Sequence, residues 1–285
     1  MGKQIIMQDV VERSKIFMDD ALHVVIDDKQ IDRLADEMKK TGTIEFYNSA
    51  EDDISEEHVV KLELLAGSIN YCYWYGKGDI RPCGSSSTLM YQLLLSSYDR
   101  WGCVDDVMLE RFIASLRTKR FPLIEQREKH LREVFLIIDD LTYMIMKDQD
   151  HIFDALNYIL ENVSGYTSDM FLKRLSLLFM QLNRKLGWYK DDINTLIIPV
   201  DYHVPNVLRY FECIAYRQEL SNKIKNQDLI LSGSRMECEI RAATILVCEK
   251  LAELTGWNMM DIDSWLWLRR KDVETPFHLT ITTDY

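Results

Sequence analysis

The segment IPVDYHVPNVLRYF, residues 198–211, places one acidic residue among apolar neighbours where the chain enters a helix. The apolar residues that follow recur with helical spacing: Val204, Val207, Leu208, Phe211 and Ile214. Proline is tolerated in the first turn of a helix but not in its interior, so Pro205 sets the helix start within a few residues of Asp201. The segment therefore predicts an amphipathic helix that begins beside a carboxylate.

Two interpretations of Asp201 are open at this point. Aspartate is among the preferred residues at a helix N-cap, so the carboxylate can simply cap the helix. The unpaired N–H groups of a helix N-terminus also keep a nearby carboxylate ionised. An ionised carboxylate backed by apolar residues can face a developing positive charge, such as that on a sugar losing its base, and Asp201 is therefore also a candidate catalytic residue.

Composition describes a globular chain that is rich in helix. Its 285 residues are 47% hydrophobic and 28% charged, which is long enough for a sizeable core. Only 5 prolines and 11 glycines indicate long helices and few irregular loops. No repeat or break in composition marks a boundary. We predict an all-α fold with minor short β elements, one domain over residues 1–285, and two lobes around a cleft that divide near residue 165.

Charge and cysteine spacing exclude several classes of function. A net charge of −12 disfavours a tight grip on duplex nucleic acid, although one basic pocket for a single phosphate remains compatible with it. No apolar run approaches a membrane span, no signal peptide is evident, and the six scattered cysteines form no C-x2-C pair. We expect a cytoplasmic protein without a metal, organic cofactor, membrane or stable nucleic-acid partner. The sequence does not set the oligomeric state, and we expect a monomer.

Helix signals continue on both sides of the opening segment. Residues 170–186 are apolar almost all round, which is typical of a buried central helix. Lys173 on that helix is either a buried amine or a lysine whose ammonium reaches out to solvent. Ser234 and Glu237 form a capping box that opens a long helix to about Leu254, and Gly256 is a C-terminal stop signal.

An aromatic cluster precedes these helices. Tyr71, Tyr73, Trp74 and Tyr75 follow Asn70 in the segment INYCYWY. Such rings can stack on a planar base, or they can be ordinary core aromatics. The pattern alone does not separate the two roles.

Taken together, six segments resemble the queuosine salvage family, the queuosine 5′-phosphate N-glycosylase/hydrolases. The resemblance runs from about residue 20 to the C-terminus, with the segments in the family's order. They are INYCYW (69–74), PLIEQR (122–127), FLKR (171–174), VDYHVP (200–205), GSRMECEIRAATI (233–245) and PFH (276–278). The chain departs from the family at His203, usually Arg, at Asn206, usually Gln, and over residues 164–169, where the family carries a Phe-Pro-Ser-Phe-Arg-Asp-like run.

Two segments are also similar to the helix-hairpin-helix DNA glycosylases. Residues 200–204 match the segment that carries their catalytic Asp, and DSWLWL (263–268) is similar to a second segment of the archaeal oxoguanine glycosylases. Those enzymes pair the Asp with a Lys on an earlier helix. The resemblance therefore implies a DNA-glycosylase-like fold and a catalytic pair of Asp201 and Lys173.

The family resemblance implies hydrolysis of the N-glycosidic bond of queuosine 5′-monophosphate, which releases the 7-deazaguanine base queuine. It implies that Asp201 stabilises the cationic sugar and activates water, and that Lys173 either steadies Asp201 and the sugar hydroxyls or attacks the sugar carbon. Tyr71, Tyr73 and Trp74 would stack on the base. The remaining candidate substrate-binding residues are Asn70, Asp169, His203, Arg241, Arg269 and His278, of which the last three are candidates for the phosphate.

Two other functions stay open. One is a DNA base-excision glycosylase, disfavoured by the net negative charge and by the missing Leu-Pro-Gly-Val-Gly-like hairpin. The other is a non-catalytic helical binding or scaffold protein, disfavoured by the presence of both Asp201 and Lys173.

Overall fold

Regular structure in this protein is almost entirely helical. The computed structural model describes residues 5–44, 54–77, 84–99 and 102–285. Within those ranges it contains fourteen α-helices and one sheet of two short strands. The predicted all-α class with minor β elements is confirmed.

The elements follow one another along the chain with short connections. The N-terminal elements are α1 (Ile5–Asp19), β1 (Val24–Ile26) and α2 (Asp28–Thr41). The central helices are α3 (Glu56–Ser68), α4 (Ser87–Asp99), α5 (Asp106–Thr118), α6 (Ile124–Leu136), α7 (Ile138–Met146), α8 (Phe153–Asn162), α9 (Ser164–Thr167) and α10 (Lys173–Leu186). The C-terminal elements are α11 (His203–Tyr210), β2 (Ile214–Tyr216), α12 (Gln218–Lys225), α13 (Arg235–Thr255) and α14 (Met259–Arg269), with 3-10 turns at Asp192–Thr195 and Arg270–Asp272.

The chain divides into two compact units, and neither is continuous in sequence. The first unit comprises Met1–Tyr47 and Asp192–Ile281, and the second comprises Asn48–Asp191 and Thr282–Tyr285. The division does not fall near residue 165, which lies inside the second unit. The reason is packing between distant parts of the chain, since α1 and α2 both lie against α13.

Helix α13 is the centre of the first unit. The Ser234 hydroxyl accepts a hydrogen bond from the Glu237 N–H, and Gly256 ends the helix at φ 74°, so both predicted ends are confirmed. The Glu237 carboxylate bonds the N–H of Gly233 rather than that of Ser234, so the capping box is shifted by one residue. The buried middle of α13 packs against α1, α2, β1, α11 and α14.

A buried carboxylate on α13 binds the strand region at the other end of the chain. Glu239 is fully buried, and its two oxygens accept the N–H groups of Leu22, His23 and Val24 at 2.6–3.1 Å. Strand β1 then pairs antiparallel with β2, Val25 opposite Ala215. Two sequence-distant strands are thereby fixed on one helix.

Helix α11 is shorter than its apolar spacing predicts. It ends at Tyr210, and Ile214 lies in β2, so the continuation of the helix to Ile214 is wrong. Glu212 takes a left-handed conformation at φ 60°, and the Cys213 N–H bonds the Leu208 carbonyl. This hydrogen-bond pattern is typical of a helix end that has glycine at the left-handed position. Because glutamate stands at that position here, the sequence does not reveal the helix end.

The second unit is built around α3 and α10. Helix α3 is buried along most of its length and packs against α4, α6, α7 and α10. Helix α10 is mostly buried, as predicted, but it begins at Lys173 rather than near Met170, because Leu172 is left-handed at φ 50°. Among the described residues, no helix combines the length and apolar character that crossing a bilayer requires.

Gly67 on α3 allows the side chain of Tyr166 to approach this helix closely. A Cβ at this position would lie 2.7 Å from Tyr166 Oη, whose hydroxyl donates to the Leu64 carbonyl at 3.1 Å. Alanine normally stabilises a helix relative to glycine by about 1 kcal/mol. Here a methyl group would clash with the Tyr166 hydroxyl instead. The available space therefore favours glycine at position 67.

We expect Gly67→Ala to lower the free energy of unfolding by roughly 1–3 kcal/mol, the usual cost of overpacking a core. Tyr166→Phe removes the clashing hydroxyl, so adding Gly67→Ala to that variant should cost much less. Denaturant unfolding of the four proteins of this cycle measures both values. A stabilising Gly67→Ala in the otherwise unchanged protein would contradict the prediction.

Candidate active site

Asp201 lies at the start of α11 and caps it with one oxygen. Its Oδ1 accepts the N–H of His203 at 2.6 Å and that of Val204 at 3.2 Å. Within the described part of the chain, Oδ2 accepts no hydrogen bond. The side chain is half-buried. The capping interpretation is therefore confirmed, and it leaves the second oxygen of the carboxylate available for chemistry.

His278 is a buried neighbour of Asp201 in the same unit. Burial lowers the pKa of its imidazole to about 3; the charges of Arg241 and Arg209 act in the same direction, and Asp201 opposes them. The ring is therefore neutral at neutral pH. A neutral imidazole does not attract phosphate as a cation, so His278 could bind a phosphate only as an uncharged hydrogen-bond donor.

The segment before His278 is fastened to α11 by hydrogen bonds. The side-chain amide of Asn206 donates to the Thr275 carbonyl at 2.8 Å, and Arg209 donates to the Pro276 carbonyl at 3.0 Å. Phe277 lies against the ring of Tyr202, with centroids 4.5 Å apart, and meets the ring of His203 edge-on. The first unit thus brings together Asp201, His203 and His278.

The two predicted arginines of this unit differ in exposure. Arg241 is fully buried, and its Nη1 lies 3.5 Å from Oε1 of Glu237, so its charge is already partly compensated. Arg269 is partly exposed, stacks on the ring of Trp265 at 4.7 Å, and lies 3.8 Å from Asp272. Arg269 is therefore the better placed of the two to meet an anion from solvent.

A second cluster forms in the other unit around the start of α10. Lys173 is only 5% exposed, and its Nζ donates to the Asn70 carbonyl at 2.9 Å. The Asn70 side chain accepts from the Tyr73 hydroxyl at 2.9 Å. Asp169 accepts the N–H of Phe171 on one oxygen and that of Lys173 on the other. Lys173 is thus a buried amine rather than one that reaches to solvent.

The aromatic residues of the INYCYW segment lie in the core. Tyr71 and Trp74 are fully buried, and Tyr73 is 4% exposed. Burial raises the pKa of Tyr71 to about 12, and its hydroxyl lies 3.2 Å from His130 Nδ1. Neither Tyr71 nor Trp74 offers a ring face to solvent, so direct stacking of a base on them has no support in this geometry. The structural role, which the sequence left open, is the one observed.

Sequence reasoning overlooked two buried arginines beside this segment. Arg127 and Arg174 both lie in the quoted family segments, and both donate to main-chain carbonyls. The signal that could have found them is a charged residue within a helix whose neighbours are otherwise buried. The pairing of Lys173 with Asp201 stays a prediction, because the two residues belong to different units.

Sequence comparisons point to one group of proteins. A family model described as queuosine salvage protein matches residues 88–285. The queuosine 5′-phosphate N-glycosylase/hydrolase of Bos taurus is 25% identical to this chain over 94% of the chain and 96% of that protein. The Mus musculus protein of the same name is 23% identical over 79% and 82%. The Dictyostelium discoideum protein is 39% identical, over 36% of this chain and 34% of its own length.

Among solved structures, the chain is similar to the 8-oxoguanine DNA glycosylase of Methanocaldococcus jannaschii. That match has a TM-score of 0.45 and 14% identity, and it covers 87% of this chain and 94% of the other. The sequence matches decide the classification. Because the family model covers well over half of the chain, this protein belongs to the queuosine salvage protein family.

The neutral state of His278 makes stability depend on pH. Its pKa is lower in the folded protein than the value near 6.5 in the unfolded chain, so the unfolded chain binds more protons below that pH. We expect the free energy of unfolding to fall as pH drops below about 6.5, by up to about 1.4 kcal/mol per pH unit from this group. His278→Gln should reduce that slope.

The measurement is denaturant unfolding at several pH values, with NMR titration of the imidazole nitrogens. His130, whose pKa burial lowers to about 4, contributes a slope of the same sign and serves as the reference within the same protein. An imidazole of His278 that titrates near pH 6.5 in the folded state would refute the assignment.

Proposed function

We propose that this protein hydrolyses the N-glycosidic bond of queuosine 5′-monophosphate, releasing queuine and ribose 5-phosphate. Membership of the queuosine salvage family and the shared name of its relatives support the reaction class. The observation that carries the mechanism is the Asp201 carboxylate, with one oxygen held by the start of α11 and the other without a donor among the described residues.

The leaving group explains why a fixed carboxylate is needed. A 7-deazapurine lacks N7, the position at which a purine is usually protonated before it leaves. Departure therefore depends on stabilising the positive charge that develops on the sugar. A preorganised negative group facing that charge lowers the barrier without reorganising during the reaction.

Asp201 fits this task because its orientation is set before substrate arrives. Two N–H groups fix Oδ1, and the positive end of the helix dipole lies beside the carboxylate. In the proposed mechanism Oδ2 faces the sugar and then accepts a proton from the attacking water. Neutral His278 adds no competing positive charge beside it.

Lys173 is the second catalytic residue of the proposal. Its buried amine is held by the Asn70 carbonyl, next to the Asn70 side chain and Tyr73. We assign it to steadying Asp201 and the sugar hydroxyls; attack by the amine on the sugar carbon is the alternative. Asp169 positions Lys173 through the N–H of that residue, and His203, whose N–H binds Asp201, is a further candidate contact with the substrate.

The exposure of the candidate residues indicates which of them can contact the substrate. Arg269 is the preferred phosphate ligand because it is the predicted cation that is partly exposed, while Arg241 is buried beside Glu237 and His278 is neutral. Tyr73, which is 4% exposed, stays a candidate for contact with the base, while Tyr71 and Trp74 are fully buried.

The setting of the reaction is part of the proposal. Released queuine would return to tRNA modification, so we place the enzyme in the cytoplasm. The partner is a small nucleotide rather than a polymer, in keeping with the net charge of −12. We propose a monomer that uses no cofactor.

Asp201→Asn separates catalysis from capping. Asparagine caps helices about as well as aspartate, so stability should change little, while loss of the charge should reduce kcat by at least about 10²-fold. The matched control is Asp27→Asn, because Asp27 Oδ1 caps α2 through the N–H groups of Lys29 and Gln30 in the same geometry. Steady-state release of free base measures both variants.

Equal, near-full activity in the two variants would reduce Asp201 to a helix cap. The proposed mechanism would then lose its central group. Thermal unfolding of both variants checks that any loss of rate is not a loss of folded protein.

Substrate class distinguishes this proposal from DNA repair. We expect base release from the 5′-mononucleotide, much slower release from the nucleoside, and little from a duplex that contains the same base. Binding of a remote phosphate holds the sugar in reactive geometry, so its absence should reduce the rate. Activity on the mononucleotide should fall only gently with salt, because few phosphates are neutralised. One chromatographic assay covers the three substrates, and duplex cleavage with a steep salt slope would favour the DNA glycosylase alternative.

A further inference from the structure

The segment that carries Asn70 has no helix or sheet to hold it. Residues 69–75 lie between α3 and an isolated bridging residue, and Cys72 is left-handed at φ 33°. A non-glycine residue in this region costs energy and persists only where its surroundings impose it. The main-chain groups of the segment must therefore find partners elsewhere.

Cationic side chains supply those partners, one carbonyl after another. Five consecutive carbonyls each accept a hydrogen bond from a buried Arg or Lys: Ser68 from Arg174, Ile69 from Arg127, Asn70 from Lys173, Tyr71 from Arg127 and Cys72 from Arg127. The Asn70 carbonyl, which receives the amine of Lys173, thus lies between two carbonyls that Arg127 holds.

Arg127 is a buried cation committed to this task. It is fully buried, and its Nε also donates to the Pro122 carbonyl at 2.8 Å. Within the described residues no carboxylate pairs with it; its guanidinium lies instead 4.5 Å from the ring centroid of Tyr71 and 5.2 Å from that of Tyr73. Burying a charge is costly unless its hydrogen bonds are made, so the arginine and the conformation of residues 69–72 require each other.

We infer that Arg127 is a positioning residue for Lys173: by fixing the carbonyls on both sides of Asn70, it sets the position of the Asn70 carbonyl, which accepts a hydrogen bond from the lysine amine. The inference rests on the role proposed for Lys173. A planar fork of donors is needed to reach Ile69, Tyr71 and Cys72 at once, and lysine at position 127 has no such fork.

The first test is kinetic. Arg127→Lys keeps the charge but loses the fork, so Lys173 should be displaced and kcat should fall by about 10²-fold, with KM changed far less. Lys173→Met should show a similar loss, and adding Arg127→Lys to it should lower kcat little further. Arg127→Lys with unchanged kcat, or a double variant that shows the full product of both losses, would overturn the inference.

A matched control removes the effect of general destabilisation. Lys185→Met breaks the buried ion pair between Lys185 and Glu63 in the same unit, 2.7 Å apart, and should lower the melting temperature. Assayed below the melting temperature of every variant, it should keep its kcat. A loss of kcat in this control equal to that of Arg127→Lys would show that Arg127 acts through stability alone.

The second test does not need the reaction. Lysine acetylation with acetic anhydride, followed residue by residue by mass spectrometry, reports how firmly each amine is held. Lys173 should be modified slowly in the unchanged protein and in Lys185→Met, and several-fold faster in Arg127→Lys. Equal rates at Lys173 in all three would overturn the inference. Absence of base release by the unchanged protein would refute the proposed function, while the labelling result would still decide the role of Arg127.

Discussion

Buried main-chain groups need partners where the chain leaves a helix inside the protein, and at several such places in the described ranges charged side chains provide them. Glu239 accepts the N–H groups of residues 22–24, and Asp169 accepts two at the start of α10. Arg127 and Arg174 donate hydrogen bonds to the carbonyls of residues 68, 69, 71 and 72. Because an unsatisfied buried N–H or C=O costs about 1–3 kcal/mol, these few contacts decide where irregular segments lie. Asn70 and Asp169, two of the candidate residues, lie on such segments.

Asp201 and Asp169 show how one motif can serve two purposes. Both are aspartates at the start of a helix, but each carboxylate oxygen of Asp169 accepts one N–H group. Asp201 accepts both hydrogen bonds on the same oxygen, and its second oxygen accepts none within the described ranges. A cap that uses one oxygen leaves a carboxylate that is oriented and still able to interact. Capping by Asp201 therefore does not exclude its proposed catalytic role.

Local signals predicted much of the fold, and long-range contacts account for what was missed. Ser234 and Gly256 marked both ends of α13 because caps depend on nearby residues. Left-handed residues end α11, at Glu212, and set the start of α10, at Leu172. Neither Glu nor Leu is a residue type that predicts a left-handed conformation. At the site, the position of Asp201 followed from its own segment. The burial of Tyr71 and Trp74 and the neutral state of His278 depend on distant packing, so one-dimensional patterns could not predict them.

The discontinuity of the first unit has a consequence for synthesis of the chain. Helices α1 and α2 leave the ribosome early, but α13, on which both pack, is made only after the whole of α3–α10. At about 5–20 residues per second, the wait is on the order of ten to forty seconds. During that time residues 22–24 lack Glu239, and the apolar face of α2 lacks its partner. Nearly all of the second unit is therefore synthesised before the first unit can form, and the N-terminal helices wait without the helix on which they pack.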